Sequence, residues 1–229
     1  MFILNVLQKY GKYVSLWVLV LFLTFSGMEM YGQRFQLKEK TKKNGDIIEK
    51  YHVLRKHKKI KHGLYIKYLK DRIIVCGYYD NNEKTGIWRY FDGLMRVQLE
   101  YDYDKQKVIS FLSFQDTTHY AQPPLLLGST MELKYRLKKL IKYPKDAWLA
   151  GYAGEVVVGL KIDTAGHIYD YTIEKSCYES LDREALRVVK EVVDDYRWLA
   201  AIKDDKFVNS TYLIPIRFEM HGRRFRDRG

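Results

Sequence analysis

The sequence predicts an α+β protein in which a β-hairpin repeat module precedes a small mixed domain. Three observations point there. Tyrosine supplies 20 of the 229 residues, and its flat, amphipathic ring suits a pleated, half-buried surface. A glycine-aromatic pattern recurs 23 positions later in the middle of the chain, and a fixed period of that size marks stacked supersecondary units. Beyond residue 130 the apolar spacing switches between helical and alternating, in the order helix, strand, strand, helix, strand. With 47% hydrophobic and 15% aromatic residues the chain has material for buried cores, which excludes a wholly disordered one.

The first element is an export segment. Lys9 and Lys12 precede "VSLWVLVLFLTF" at residues 14–25, and "SGMEMYGQ" follows. A basic start, an apolar core of about a dozen residues and small residues downstream describe a signal peptide. Residues 1–32 are assigned to it, with cleavage near Gly32–Gln33. The run is short of the roughly 20 apolar residues of a spanning helix. Met30 suits a cleavage site poorly, so an uncleaved inner-membrane anchor is the alternative. Either way the rest of the chain is expected in the periplasm.

That compartment sets the reading of the charge, formally +12. The stretch "RKHKKIKH" at 55–62 reads as a solvated basic face of a β element rather than as a nucleic-acid patch. Binding to an anionic envelope polymer is a further reading, recognisable by its salt sensitivity. Cys76 and Cys177 have neither metal nor redox spacing and are expected as free thiols.

The repeat module is placed at 51–115. "HGLYIKYL" begins at His62 and "TGIWRYFD" at Thr85, so Gly63 matches Gly86, Tyr65 matches Trp88 and Tyr68 matches Phe91. "VCGYYDNN" and "QLEYDYDK" follow at nearly the same offset, pairing Tyr78 with Tyr101. Each unit reads as a glycine turn, an aromatic strand, a polar turn and a second strand. Tyr65, Tyr68, Trp88 and Tyr90 are expected in cross-strand packing. The pattern resembles MORN-like repeats, which implies a hairpin array serving as spacer or interaction surface. "QDTTHYAQPPLLLGST" at 115–130, with Pro123 and Pro124, reads as a domain boundary.

In "MELKYRLKKLIKYP" the stripe Leu133, Leu137, Leu140 and Ile141 predicts a helix that stops before Pro144. "GEVVVGLKID" alternates Val156, Val158, Leu160 and Ile162 on one face of a strand. Gly166 turns the chain into "IYDYTIEKS", the return strand. Ser180 is the expected N-cap of "SLDREALRVVKEVV", with Asp182 and Glu184 near its start and Leu181, Ala185, Val188, Val189 and Val192 inward. After Trp198, "FVNSTYLIPIRFEM" presents Tyr212, Ile214, Ile216 and Phe218 on one face. Pro215 cannot donate to a ladder and therefore belongs on an edge or at a bulge.

No catalytic constellation accompanies these elements. His52, His57, His62, His119, His167 and His221 form no ligand pattern, and Asp163 and Asp170 read as turn formers. No enzyme activity, cofactor or metal site is expected.

The segments "YPKDA" (143–147), "AGEVVVGLKIDTAGHI" (153–168), "LDREALRVVKEV" (181–192), Trp198 and "YLIPIRF" (212–218) resemble the C-terminal domain of TonB energy transducers, over residues 125–222. The resemblance implies an antiparallel sheet with two helices and a partner: a peptide segment of an outer-membrane receptor, bound by strand addition. It also implies inner-membrane motor proteins. The edge residues it points to are Thr211, Leu213, Pro215 and Arg217. The apolar run at 14–25 carries no ionisable residue, and the repeats stand where the family has a proline-rich spacer. An envelope adaptor using the same peptide-binding fold, without energy transduction, is therefore the alternative.

Overall fold

The computed structural model describes residues 37–112 and 120–220. The expected export segment lies outside them. Among the described residues no helix is long and apolar enough to cross a membrane.

The N-terminal part is a seven-stranded antiparallel meander, each strand bonded to the next. Its strands are β1 (Leu37–Asn44), β2 (Ile47–Leu54), β3 (Lys61–Leu69), β4 (Arg72–Asp80), β5 (Glu83–Phe91), β6 (Val97–Asp102) and β7 (Lys107–Phe111). The sheet thus begins at Leu37, one full hairpin upstream of the sequence repeat, because the charged β1 carries no aromatic signature. Short turns join the strands. Asn81 and Asn82 both adopt positive φ between β4 and β5, the conformation of a tight two-residue hairpin. The basic stretch forms the β2–β3 turn and the start of β3, where Lys40 Nζ donates to the Lys58 carbonyl at 2.6 Å.

One face of this sheet is a row of rings. Tyr65 meets Trp88 at 5.4 Å between centroids, Trp88 meets Tyr79 at 5.1 Å, and Trp88 meets Tyr103 at 5.7 Å. Tyr65, Trp88 and Tyr90 are buried as expected, whereas Tyr68 is only half-buried. The pairing of Tyr78 with Tyr101 needs correction. Tyr101 is buried but Tyr78 is exposed, and its place in the ring row is taken by Tyr79. The cause is a register irregularity between Cys76 and Tyr78 in the β4–β5 ladder, since a shift of one residue sends a side chain to the opposite face. Gly77 leaves room for the indole: a Cβ there would lie 2.3 Å from the Trp88 ring.

Among its described residues the C-terminal part has three helices, α1 (Thr130–Leu140), α2 (Lys145–Leu149) and α3 (Glu179–Val193). Its main sheet runs in the order β10 (Ile168–Lys175), β9 (Gly154–Ile162), β14 (Ser210–Phe218), all antiparallel. Val156, Val158, Leu160 and Ile162 of β9 and Leu181, Ala185, Val188, Val189 and Val192 of α3 are fully buried against one another. Burial of each such aliphatic side chain contributes about 1.5–3 kcal/mol, and the expected stripes are the core.

Four local readings change. Leu140 lies exposed at the end of α1, because that helix buries only Leu133 and Leu137. Beyond the predicted stop, Pro144 stands as the N-cap of a further short helix, α2, a position that tolerates its missing N–H. Ser180 lies inside α3, whose N-cap is Tyr178. No side chain caps the helix; Asp182 instead holds the chain that enters it, accepting from the Cys177 amide at 3.1 Å and the Ser176 hydroxyl at 2.5 Å. Finally, Phe207 belongs to a separate hairpin, β12 (Ala201–Lys203) with β13 (Lys206–Val208). Asp204 and Asp205 turn it with positive φ, and the last strand starts at Ser210.

Between the two sheets runs β8 (Leu125–Leu126), paired with β11 (Trp198–Leu199). Leu125 and Leu127 enter the ring cluster of the meander while Leu126 enters the aliphatic core. Alternation along one extended segment thus serves both cores. Lys67 Nζ on β3 bonds Glu132 of α1 at 3.1 Å, and the Thr130 hydroxyl donates to Gln98 Oε1 at 2.6 Å.

Candidate peptide-binding edge

Among the described residues β14 is one of the two edge strands of its sheet, β10 being the other, and it is bonded to β9 through nine consecutive pairs from Ser210↔Ile162 to Phe218↔Gly154. Successive residues of a strand point to opposite faces. Ile214, Ile216 and Phe218 are buried in the core, and Tyr212 packs on it beside Trp198 at 4.7 Å between centroids. Burial pushes the Tyr212 phenol up to about 12. Leu213, Pro215 and Arg217 are exposed and Thr211 is half-buried. Pro215 stands opposite Val157 in an unbroken ladder. A proline fits there with its nitrogen directed away from β9, and alternation gives Thr211, Leu213 and Arg217 the same phase.

The four expected edge residues share a face with groups that sequence reasoning did not single out. Lys161 of β9 donates to Glu174 Oε1 at 2.8 Å and to the Thr211 hydroxyl at 3.1 Å. The Thr172 hydroxyl donates to the same Glu174 oxygen at 2.6 Å. The bond from Lys161, then that from Thr172, holds the Glu174 carboxyl below its ordinary value. Gly159 makes this network possible, because a Cβ there would lie 2.8 Å from Glu174 and Thr172 atoms. Toward the far end, Glu155 faces Lys175 at 3.4 Å and Arg217 at 3.7 Å. The signal for these residues was available: Glu155, Val157, Gly159 and Lys161 are the off-phase of the alternation that located the core. The resulting face is polar at both ends, with Val157, Leu213 and Pro215 between, and it offers main-chain pairing rather than reactive groups.

The residues considered for chemistry sit elsewhere in local roles. Asp163 Oδ1 accepts the amides of Ala165 and His167 at 2.9 and 2.8 Å in the β9–β10 turn. His62 Nδ1 lies 3.0 Å from Asp80. Cys76 and Cys177 are free thiols, and burial pushes Cys76 up to about 11. Among the described residues no cluster of three or more His, Cys, Asp or Glu is placed to hold a metal ion.

Residues 139–220 match the family model for the Gram-negative bacterial TonB protein C-terminal. Two NMR solution structures of Helicobacter pylori TonB-CTD are similar to the chain. One is 24% identical over 39% of this chain and 90% of that one, with a TM-score of 0.29. The other is 21% identical over 49% and 100%, with a TM-score of 0.28. Among curated proteins none matches this sequence. The family match over 139–220 agrees with the resemblance read from the sequence, and that segment folds as a mixed α+β unit.

Proposed function

We propose that this protein is a TonB-like periplasmic component of outer-membrane transport, and that β14 takes up an extended receptor peptide as a further strand. The observation that carries this reading is the position of β14 at the rim of its sheet with Pro215 in an unbroken ladder. In strand addition, main-chain hydrogen bonds supply affinity and alternate side chains supply selectivity. Thr211, Leu213, Pro215 and Arg217 are the selecting set, and the exposed guanidinium of Arg217 favours an acidic residue near one end of the peptide. Neither a cofactor nor a catalytic residue is needed. The contacts of β3 and β6 with α1 favour a second reading, an envelope adaptor in which the meander is docked to the domain rather than serving as a spacer.

A backbone block tests strand addition. Thr211→Pro removes one amide of the outward phase, about 1 kcal/mol if a peptide bonds it. Crosslinking pull-down from outer-membrane extracts, followed by calorimetry with the captured receptor segment, should show several-fold weaker binding and a nearly unchanged melt. Equal binding by both proteins at equal stability would refute the proposed edge.

A further inference from the structure

A cleft of about 380 Å³ opens between the first hairpin of the meander and α1. Lys42 of β1 and Glu49 of β2 line one wall, and Glu132, Tyr135 and Lys139 of α1 line the other. The walls meet at the β1–β2 turn. There the Asp46 amide donates to the Tyr135 hydroxyl at 3.4 Å, and a Cβ on Gly45 would lie 3.1 Å from Lys139 Nζ. The same ammonium stands 4.9 Å from the centre of the Tyr135 ring. These contacts close one end of the cleft and place Lys139 at it.

The charges of the cleft are separated by depth. Glu49 and Glu132 are recessed, with side chains 23% and 15% exposed, and share a single cation, Lys67, at 3.9 and 3.1 Å. Two carboxylates against one ammonium leave the floor net negative. Lys42 and Lys139 are exposed at the rim. Lys42 stands opposite Glu49 in the ladder, yet among the described residues neither lysine has a carboxylate within 4 Å. The charge of Asp46 acts on Lys139, which still leaves the rim net positive. Arg136, also on the α1 wall, is matched by Asp195 at 2.5 Å. A recessed pair of carboxylates with one counter-ion gains from a second cation, and the rim lysines gain from an anion. Ile47 and Leu140 add apolar surface to the same cleft, whose size is that of an ordinary small-molecule site.

We propose that this cleft binds a zwitterion, a short peptide with both ends free. Its ammonium joins Lys67 between Glu49 and Glu132, its carboxylate lies between Lys42 and Lys139, and its apolar side chains rest on Ile47 and Leu140. The site is separate from β14 and does not depend on what that strand binds.

The dipeptide leucyl-leucine is the probe, titrated calorimetrically into the full chain at pH 7, where both of its ends are charged. Saturable binding is expected, weakened at least tenfold when the amine is acetylated and likewise when the carboxylate is amidated. Lys42→Met should weaken the free dipeptide at least fivefold. Lys38→Met, which removes another exposed charge of β1, should leave it unchanged. Lys42 is exposed on an edge strand, so this variant keeps its fold and the test does not depend on changing the recessed glutamates. Binding that survives acetylation would mean a site for anions alone and would overturn the zwitterion assignment. Equal affinity in wild type and Lys42→Met, or an equal loss in Lys38→Met, would overturn the site. No saturable binding to the wild type would overturn it as well.

Discussion

The two larger sheets of this protein solve burial in different ways. In the C-terminal part, β9 lies against α3, α1 packs on α3, and largely aliphatic side chains from sheet and helices meet in a fully buried centre. In the meander, a single layer is covered by its own tyrosines and a tryptophan, capped by lysines and closed where Leu125, Leu127 and Leu199, with Met131 and Tyr135 of α1, reach over from the C-terminal part. Two layers exclude water because each supplies the other's missing face. One layer with long rings fills its face but still requires a cover. The aliphatic core is therefore self-sufficient, and the aromatic one is a dependent.

The largest expected effect follows from that asymmetry. A fragment of residues 121–220 should melt cooperatively, since its core cluster contains no residue upstream of Leu126. A fragment of residues 37–112 should show no cooperative melt, having lost three leucines of its cover. The opposite result, a stable meander and a molten C-terminal fragment, would invert the comparison.

Within the intact chain, Leu181→Ala should cost about 2–5 kcal/mol, because a fully buried leucine leaves a cavity between α3 and β9. Hydrogen exchange should show the loss of protection concentrated in β9, β10 and β14. Gly77→Ala acts on the other core and should cost about 1–3 kcal/mol, through displacement of the Trp88 ring. Its exchange should quicken in β3 to β6 while β9 keeps its protection. Uniform loss in both variants would mean that the two cores melt as one unit.

The smallest effect concerns charge in the aromatic core. Lys84 is lowered from 10.5 to about 8 by burial and by Lys67, Arg197 and Lys61. Below about pH 8 the folded chain holds this proton at a cost that the unfolded chain does not bear. Between pH 8 and 10.5 the unfolded chain binds more protons at this site, so its contribution to stability rises with pH. Lys84→Met should thus be more stable than wild type at pH 7 by about 1–2 kcal/mol, a full conversion of the shift being reduced for partial exposure. That advantage should vanish toward pH 10.5 in denaturant melts. The difference between the two proteins matters here, because Tyr65 and Tyr90 are also raised by burial and ionise on unfolding in both.

Much of this was legible in sequence because it depended on local periodicity. The β9 alternation, the α3 stripe, the Gly166 turn and the off-phase of β14 follow from side-chain direction alone, which a chain fixes within a few residues. The "S-x-x-E" of Ser129–Glu132 was also readable as a capping signal; the Ser129 hydroxyl does accept the Glu132 amide, at 3.3 Å, but the Glu132 carboxylate turns to Lys67 instead. The repeat was readable as a period, though not in its second strands, where a register irregularity moves Tyr79 inward and Tyr78 outward.

By itself, then, the sequence determined the elements, their order and which face of each strand is apolar, since these arise from bonded geometry and the hydrophobic pattern. The tertiary structure alone decided how residues distant in the chain are shared. Leu125 and Leu127 go to one core and Leu126 to the other, a choice that depends on two sheets being present at once. Ser180 lies inside α3 without capping it, and Asp182 holds the entering chain, because the preceding residues arrive extended and carry the Cys177 amide and Ser176 hydroxyl to its carboxylate. Lys61 reaches the rings of Tyr51 and Tyr79 only when β2, β3 and β4 have paired. Charge and burial are properties of surroundings, and the surroundings do not exist until the chain has folded.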